Sequence, residues 1–566
     1  MAPSSAAQQS LVTQLQSIVG HTYVLTSDNA TRRYRTGFRF GEGPVLAVVR
    51  PGTLLEQWQI LQACIKAHVL IITQAANTGL TGGSTPDGDD YSQPIVIVNV
   101  MRIRQVYLIQ DGTQVICLPG ATLDQLEKKL RPLHREPHSV IGSSCLGASV
   151  LGGICNNSGG SLIQRGPAYT ELSLFAQLDA DGELHLVNHL GVELDNTPEQ
   201  MLEQLQNGHW GKVDAAEHQH ASDPEYKSYV RDVDADSAAR FNSDPRRLYE
   251  ASGCAGKVMV FAVRLDTFAS EKDAQVFYIG TNQPDTLEQL RRDILKNFQS
   301  LPVSGEYLHR DAYNIAERYG KDTFLMIHWL GTDHLPWFFG LKSRFDGFFG
   351  RFSWLPSHLS DRLLQGMSHL FPNHLPKRMQ QYRDRFEHHL LLKMAGPGIA
   401  EARSYLTDFF ATHEGEYFEC TPEEGTKAFL HRFAAAGAAV RYRAVHPDTV
   451  EDIVALDVAL KRNEQHWQEQ LPEAIDQQML VKLYYGHFFC HVFHQDYVIK
   501  KGVDCLQLEH QMWQLLDQRQ AQYPAEHNVG HLYHAKPEQV EFYKKLDPCN
   551  QFNPGLGQTS KKENWE

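Results

Sequence analysis

Two short segments in the second half of the chain carry side chains that could do chemistry. LYYGHFFCHVFHQDYV contains His487 and His494, and YPAEHNVGHLY contains Glu526 and His527. Imidazole and carboxylate groups bind divalent metals, and a neutral imidazole can accept a proton near neutral pH. A histidine in an aromatic strand is more often a packed core residue than a catalyst, so the segments alone leave both roles open.

Two loops in the first half offer backbone rather than side chains. Residues 74–88 read QAANTGLTGGSTPDG, and residues 138–164 contain six Gly and six Ser but no Asp, Glu, Lys or Arg. Glycines let the main chain approach a ligand closely, and exposed N–H groups bind anionic oxygens. Neither loop has the GxGxxG or Walker pattern, which argues against nicotinamide and P-loop nucleotides. Two such loops predict a large, flat, anionic cofactor held by backbone at both ends.

The elements around the first loop are predicted from hydrophobic periodicity. Residues 47–73 read as a strand, a turn at Pro51-Gly52, an amphipathic helix and a second strand. IVIVNV, residues 95–100, alternates β-branched residues and predicts a further strand. Predicted strands therefore flank the first loop on both sides.

This succession, continued by QVICLPGATLDQLEKKLRPL and the second loop, resembles the FAD-binding domain of vanillyl-alcohol-oxidase-type flavoproteins over about residues 41–265. The resemblance implies an α+β fold and bound FAD. It assigns the FAD pyrophosphate to Ala75, Ala76, Asn77, Thr78, Gly79, Gly83 and Ser84. It assigns the flavin and its ribityl chain to Gly142, Ser149, Gly152, Gly153, Asn156 and Gly159, with Val260 of GCAGKVMV as a further contact. The first loop has no His that could link the flavin, so we expect non-covalent FAD.

The second half resembles the FAD-dependent D-2-hydroxyacid dehydrogenases of the same superfamily. The Gly-His start with a second His seven residues later resembles GHxGDGNxH, EHNVG resembles EHGxG, and the tail NPGLG resembles NPGK. The resemblance implies that His527 is the base near the substrate hydroxyl and that Arg432 binds the substrate carboxylate. His487, His494 and Glu526 then belong to the catalytic centre, where metal-using relatives bind a divalent ion. The GDGN centre is replaced by residues 489–492, which leaves metal binding open.

Such groups suit the oxidation of a 2-hydroxy acid, which removes the hydroxyl proton and the hydride on Cα. A neutral His can accept the proton, and an Arg can hold the carboxylate bidentately and so orient Cα toward the flavin.

Composition limits the classes of protein. The chain of 566 residues has a net charge of −14, which argues against nucleic-acid binding, and nine cysteines without a CxxC pair fit a reducing compartment. We expect neither a signal peptide nor a transmembrane helix, because no apolar run is long enough. Residues 329–386 differ, with eight Lys/Arg against four Asp/Glu, a net +4, and twelve aromatic residues. This composition predicts binding to an anionic phospholipid surface, and a basic lid or an oligomer contact is the alternative.

Together these features resemble the quinone-dependent D-lactate dehydrogenases. The resemblance implies a peripheral enzyme on the cytoplasmic face of the bacterial inner membrane that passes electrons from D-lactate through FAD to membrane quinone. The alternatives are a soluble FAD-dependent D-2-hydroxyacid dehydrogenase, for example for 2-hydroxyglutarate, and a non-catalytic flavin-binding membrane protein.

The same resemblance predicts the domain organisation. Residues 1–268 form a two-subdomain FAD-binding domain with a core of about 41–212, and residues 521–566 return to it. An antiparallel α+β cap consists of residues 269–328 and 387–520. The basic and aromatic residues 329–386 are inserted between the two cap pieces as the membrane-binding segment.

Overall fold

The computed structural model describes residues 5–138, 147–214, 219–271, 273–331, 345, 359–368 and 370–566. The fold is α+β and contains three main sheets, one of them mixed and two of them antiparallel. Residues 332–344, 346–358 and 369 of the predicted membrane-binding segment, and Gly142 of the second loop, lie outside the described residues. Among the residues that are described, no helix combines the length and the apolar composition needed to cross a bilayer.

The first sheet has the order β1-β2-β4-β3, and its last three strands are parallel. Its strands are β1 (Val24–Leu25), β2 (Ala47–Val49), β3 (Leu70–Gln74) and β4 (Ile95–Asn99). The associated helices are α1 (Ser5–Val19), α2 (Asp28–Arg35) and α3 (Leu54–Lys66). The Thr53 hydroxyl caps α3 by accepting the Glu56 N–H, and Trp58 and Leu61 of this helix are buried. The predicted strand, helix and strand over residues 47–73 are thus confirmed, and the first loop follows the carboxyl end of β3.

The second sheet is antiparallel with the order β5-β6-β10-β8-β9. Its strands are β5 (Val106–Ile109), β6 (Gln114–Cys117), β8 (Ser173–Leu178), β9 (Leu184–Asn188) and β10 (Met259–Asp266). The short strands β7 (Arg135–Glu136) and β11 (Phe268–Ala269) pair with each other. The helices of this region are α4 (Leu123–Leu130), α5 (Val150–Cys155), α6 (Pro198–Gln206) and α7 (Tyr226–Arg231). Helix α5 packs on β10, so the second loop lies against this sheet.

The third sheet has seven antiparallel strands in the order β15-β12-β14-β13-β17-β18-β16. Its strands are β12 (Ala274–Thr281), β13 (Ser304–His309), β14 (His388–Ala395), β15 (Glu416–Glu419), β16 (Val450–Ala459), β17 (Met479–His487) and β18 (Val492–Lys500). The helices before β14 are α8 (Pro284–Asn297), α9 (Arg310–Tyr319), α10 (Lys321–Leu330), α11 (Leu359–Ser368) and α12 (Lys377–Arg385). Those that follow are α13 (Gly398–Phe410), α14 (Pro422–Val445), α15 (Glu473–Asp476), α16 (Cys505–Gln518) and α17 (Pro537–Leu546).

Two features of this last region position the site. Helix α14 starts with a capping box between Thr421 and Glu424 and packs against strands β12, β13, β16 and β18. The C-terminal residues return to the first sheet, where the Ile71 N–H donates to the Gln551 carbonyl and the Ile71 carbonyl accepts the Asn553 N–H, on either side of Phe552. The C-terminal segment is therefore anchored beside the first loop, while the predicted domain boundaries themselves stay predictions.

Candidate functional site

Four neighbouring strands of the seven-stranded sheet bring polar side chains to one face. Glu306 of β13 pairs with His487 of β17, and His494 of β18 pairs with Asp457 of β16. Tyr485, two residues before His487, pairs with His494. Because strand side chains alternate with a period of two and paired residues share a face, all five side chains lie on the same side of the sheet.

The segment that contains Glu526 and His527 packs onto this face. The Asp457 carboxylate accepts the backbone N–H of Glu526 at 2.6 Å and that of His527 at 2.9 Å. One Glu526 oxygen, Oε2, lies 3.2 Å from Nε2 of His487 and 3.7 Å from Nε2 of His494. The structure therefore brings the sequence-predicted His487, His494, Glu526 and His527 into one cluster.

The cluster has the donor set of a divalent metal site. Ligand atoms of His487, His494 and Glu526 lie within 4.8 Å of one another. The outer nitrogen of each imidazole faces a carboxylate, with Glu306 at 2.7 Å from His487 Nδ1 and Asp457 at 3.4 Å from His494 Nδ1. Carboxylates behind imidazoles in this way are typical of metal centres, so the residues fit an ion of the zinc type.

The replacement of the GDGN centre does not reach these ligand atoms. Residues 488–490 form a buried turn between β17 and β18, and His491 has a left-handed φ of 53°. The His491 ring is held by Glu288 at 3.0 Å and by the Lys461 carbonyl at 3.0 Å. The His491 ring thus belongs to a separate hydrogen-bond network, and whether the cluster binds a metal stays a prediction.

Buried charges set the electrostatics of the cluster. Arg240 is buried and donates to Glu526 and to the carbonyls of Gly160 and Leu162. Burial disfavours the Glu526 charge, but Arg240 and His487 outweigh it and hold the pKa of that carboxyl well below its usual value. Burial also opposes charge on His487, yet Glu306 and Glu526 raise its pKa to about 10.

Three members of this network were missed at the level of sequence: Glu306, Asp457 and Arg240. Asp457 lies in ALDVALKRN, which resembles the DxSLP segment of the D-2-hydroxyacid dehydrogenases, and could have been found there. Glu306 is the single carboxylate of a mostly buried strand, and Arg240 lies in a loop without a motif. Glu306 and Arg240 join the cluster only because segments that are distant in the sequence pack together.

Arg432 extends from α14 into the same cluster. One of its Nη atoms is 3.0 Å from Glu306, and its guanidinium carbon lies 4.5 Å from the centre of the Tyr485 ring. Its Nε is buried and has no hydrogen-bond partner among the described residues. A buried donor without a partner is costly, so this atom offers a binding position for a carboxylate.

Other cations near Arg432 in the sequence are engaged elsewhere. Arg441 pairs with the buried carboxylates of Asp322 and Asp361. Arg462 donates to the Tyr229 and Ser237 carbonyls and to the Ser237 hydroxyl. The remaining pairs join Arg443 to Asp452 and Lys461 to Asp236. None of these side chains competes with Arg432 for the position beside His487.

The first loop fits a pyrophosphate. Within the described residues, no backbone N–H from Ala75 to Gly79 donates a hydrogen bond to another protein group. Asn77 has a left-handed φ of 54°, and turns of this kind make concave arrays of N–H groups that bind anions. Ser84 is tied to this turn, because its hydroxyl donates to the Asn77 side chain at 3.1 Å. Ala76 and Thr78 are half-buried, so the loop is accessible to a ligand.

The second loop meets the catalytic cluster. Ser149 caps α5 by accepting the Gly152 N–H at 2.9 Å, and the Asn156 side chain donates to the Gly152 carbonyl at 2.8 Å. A Cβ at Gly159 would collide with the Glu526 carboxylate, so only glycine allows this contact. Gly153 has space for a Cβ, whose nearest neighbour would be the Cβ of Ala168 at 3.6 Å.

The EHNVG segment lies between the two loops. Glu526 abuts Gly159 of the second loop, and a Cβ at Gly83 of the first loop would collide with the Asn528 side chain. A small cavity between the second loop and this segment is lined by Asn156, Gly253 and Asn528, among other residues. This arrangement fits a cofactor that reaches from the first loop to the His and Glu cluster.

Val260 is buried in β10, and its carbonyl accepts a hydrogen bond from the Gln57 side chain at 3.2 Å. Its predicted contact with the flavin stays a prediction.

Comparisons with known proteins agree with this geometry. The family model described as "D-lactate dehydrogenase, membrane binding" matches residues 276–565, and the FAD binding domain model matches residues 45–188. The chain is 60% identical to the quinone-dependent D-lactate dehydrogenase of Escherichia coli, over 99% of this chain and 98% of the relative. It is 58% identical to the Haemophilus influenzae enzyme of the same name, over 98% of this chain and 99% of the relative. The crystal structure of p-cresol methylhydroxylase with substrate bound is similar in fold, with a TM-score of 0.57, 12% identity and coverage of 99% and 98%.

Proposed function

Because the chain belongs to the family of quinone-dependent D-lactate dehydrogenases, we propose that it oxidises D-lactate to pyruvate with FAD and reduces membrane quinone. The observation that carries the proposal is that one cluster contains both Arg432, whose Nε has no hydrogen-bond partner among the described residues, and the accessible His527. The His527 side chain is 38% exposed, whereas Glu526, His487 and Asp457 are buried. One cation for a carboxylate beside one base for a hydroxyl is what a 2-hydroxy acid requires.

FAD would be held non-covalently by backbone. The first loop would bind the pyrophosphate through the N–H groups of Ala75 to Gly79, with Gly83 and Ser84 at its far end. The second loop would line the flavin up to Gly159, where it touches Glu526. When bound, FAD supplies the hydride acceptor.

The residues of the chain would orient the acid and remove its proton. Arg432 binds the carboxylate through Nε, while its contact with Glu306 fixes the plane of the guanidinium. His527 accepts the hydroxyl proton. His487, His494 and Glu526 lie beside this base and would place a divalent ion, if one is bound, next to the substrate oxygen.

An apolar patch supports membrane attachment. Helices α10, α11 and α14 pack together and expose large apolar side chains. Leu370, two positions after α11, exposes another. The patch consists of Trp329, Leu330, Leu363, Met367, Leu370, Phe433 and Val440. Helices α10 and α11 flank residues 332–358 in the sequence, which contain eight aromatic residues and belong to the stretch 329–386, whose net charge of +4 suits anionic phospholipid. We infer peripheral attachment at the cytoplasmic face of the inner membrane, with the patch as part of the attached surface.

Helix α14 links this surface to the substrate site. Phe433 belongs to the patch, and the adjacent Arg432 faces Glu306. Quinone arriving from the membrane would therefore approach close to the flavin.

Substrate-dependent quinone reduction in membranes tests the proposal. Purified protein with FAD is added to vesicles containing a quinone, and D-lactate, L-lactate and D-2-hydroxyglutarate are compared. The proposal predicts rapid quinone reduction with D-lactate. Faster reaction with D-2-hydroxyglutarate, and with a soluble acceptor in place of quinone, would support the soluble dehydrogenase instead. Flavin binding without reduction by any acid would support a non-catalytic flavoprotein.

A further inference from the structure

Asp457 occupies a central position that the proposed mechanism does not yet use. It is 2% exposed and lies on β16, directly beneath the EHNVG segment. Its Oδ2 accepts the backbone N–H groups of Glu526 and His527 and lies 3.2 Å from Nδ1 of the His527 ring. One carboxylate oxygen thus contacts both the backbone and the imidazole of the presumed base.

We propose that Asp457 is the positioning residue that makes Nε2 of His527 the nitrogen that accepts the substrate proton. The inference rests on the proposed function, because it assumes that His527 is the base.

An ionised carboxylate can accept hydrogen bonds but cannot donate one. Oδ2 of Asp457 already accepts two backbone N–H groups, so it carries no hydrogen to give to the imidazole. The nitrogen that faces it, Nδ1 of His527, must therefore carry the ring hydrogen of the neutral base. The lone pair is then on Nε2, at the opposite side of the ring.

The backbone contacts fix the orientation of the His527 ring as well as its tautomer. Because the same oxygen holds the N–H groups of residues 526 and 527, the ring cannot move without the segment that carries it. As the substrate proton arrives, the negative Asp457 stabilises the positive charge that develops on the imidazole.

Asp457→Asn is the informative substitution. The Asn carbonyl oxygen can still accept the two backbone N–H groups, so the fold and the segment should be kept. The negative charge is lost. In addition, the two ends of an amide differ, so either its oxygen or its nitrogen can face the imidazoles of His527 and His494. Substitution of the outer partners of metal-binding imidazoles typically costs about 10- to 100-fold, and we expect a loss of at least this size in kcat, with KM for D-lactate nearly unchanged.

Glu469→Gln provides a matched control. Glu469 is also a mostly buried carboxylate of this domain, and it accepts hydrogen bonds from Tyr484 and Tyr497. It has no contact with His527 among the described residues. Its variant should retain wild-type kcat, which separates loss of a buried carboxylate from loss of this particular one.

A double-mutant cycle supplies the decisive readout. Flavin reduction by D-lactate is measured for Asp457→Asn, His527→Ala and the double variant, with flavin content, metal content and thermal midpoint recorded for each. If Asp457 acts through His527, the double variant reacts no more slowly than His527→Ala alone. A purely structural role would instead give multiplied losses.

Each outcome has one meaning. Multiplied losses, or a drop in metal content that accounts for the Asp457→Asn loss through His494, would overturn the inference. Wild-type kcat in Asp457→Asn would overturn it as well. If His527→Ala itself oxidises D-lactate normally, the assignment of the base in the proposed function fails, and that result does not depend on Asp457.

Discussion

Replacing Arg432 by Lys keeps a positive charge beside Glu306 but removes the planar fork that would hold the substrate carboxylate. One Nη of Arg432 contacts Glu306 at 3.0 Å, and its buried Nε has no partner among the described residues. A lysine ammonium can retain the ion pair with Glu306, whereas it has no atom at the position of Nε. The substitution therefore removes mainly the contact with the substrate.

The size of the effect follows from that single contact. A hydrogen bond to a charged group contributes about 1.5–3 kcal/mol, which corresponds to a fall of about 10- to 150-fold in kcat/KM for D-lactate. Arg432→Ala should lose more, because it also leaves the buried Glu306 with His487 as its remaining charged partner and lowers the free energy of unfolding.

The assay compares D-lactate with D-lactamide, which keeps the hydroxyl but has no carboxylate. Anaerobic flavin reduction is followed over a range of concentrations of each compound for wild type and Arg432→Lys. Arg443→Lys is the control, because this residue lies on the same helix and pairs with Asp452 at a partly exposed position. The reasoning is refuted if Arg432→Lys leaves D-lactate kinetics unchanged, or if it slows D-lactamide by the same factor.

Three further predictions concern the cofactor, the buried charges and the membrane. Gly153→Ala should fold normally, because its Cβ meets only an ordinary contact at 3.6 Å, but it should lose FAD. Gly159→Ala should lose both FAD and thermal stability, because its Cβ collides with Glu526. Absorbance at the flavin band and melting curves check both, and full flavin content in Gly153→Ala would contradict the assignment of the second loop. In metal-free protein, the raised pKa of His487 implies a stabilising contribution that is complete below the unfolded-state value near 6.5 and is lost as pH rises through about 10. The thermal midpoint of His487→Gln should thus vary less between pH 7 and 10 than that of wild type. If the thermal midpoints of the two proteins depend equally on pH, the positive charge on His487 in the folded protein is contradicted. Binding to vesicles should increase with the fraction of anionic lipid and fall as salt shortens the Debye length from about 10 Å at 0.1 M to about 3 Å at 1 M. Serine substitutions in the apolar patch should weaken binding without changing its salt dependence, and unaltered binding would exclude the patch.

The parts of the site with a sequence pattern could be predicted, and the parts created by packing could not. The Gly-His and EHNVG motifs identified His487, His494 and Glu526, and the structure brings their ligand atoms within 4.8 Å. No motif marks Glu306 or Arg240. Glu306 reaches His487 because β13 happens to pair with β17, and that register is decided by the whole sheet.

The first loop also shows which features local sequence can predict and which it cannot. Its glycine content indicated a backbone binding site, and the strand–helix–strand order around it is present in the fold. The contact between Asn528 and Gly83 joins residues more than 400 positions apart, so local sequence carried no signal for it. The role of Asp457 became visible only when the backbone of the EHNVG segment was seen to rest on its carboxylate.

The most direct test of the account is anaerobic mixing of the FAD-loaded protein with D-lactate. The account predicts that the flavin band bleaches in a single turnover with D-lactate but not with L-lactate. His527→Ala should retain FAD and bleach about 10²–10⁴-fold more slowly, as expected for loss of a positioned base. An unbleached flavin with D-lactate, or bleaching of His527→Ala at the wild-type rate, would contradict the account.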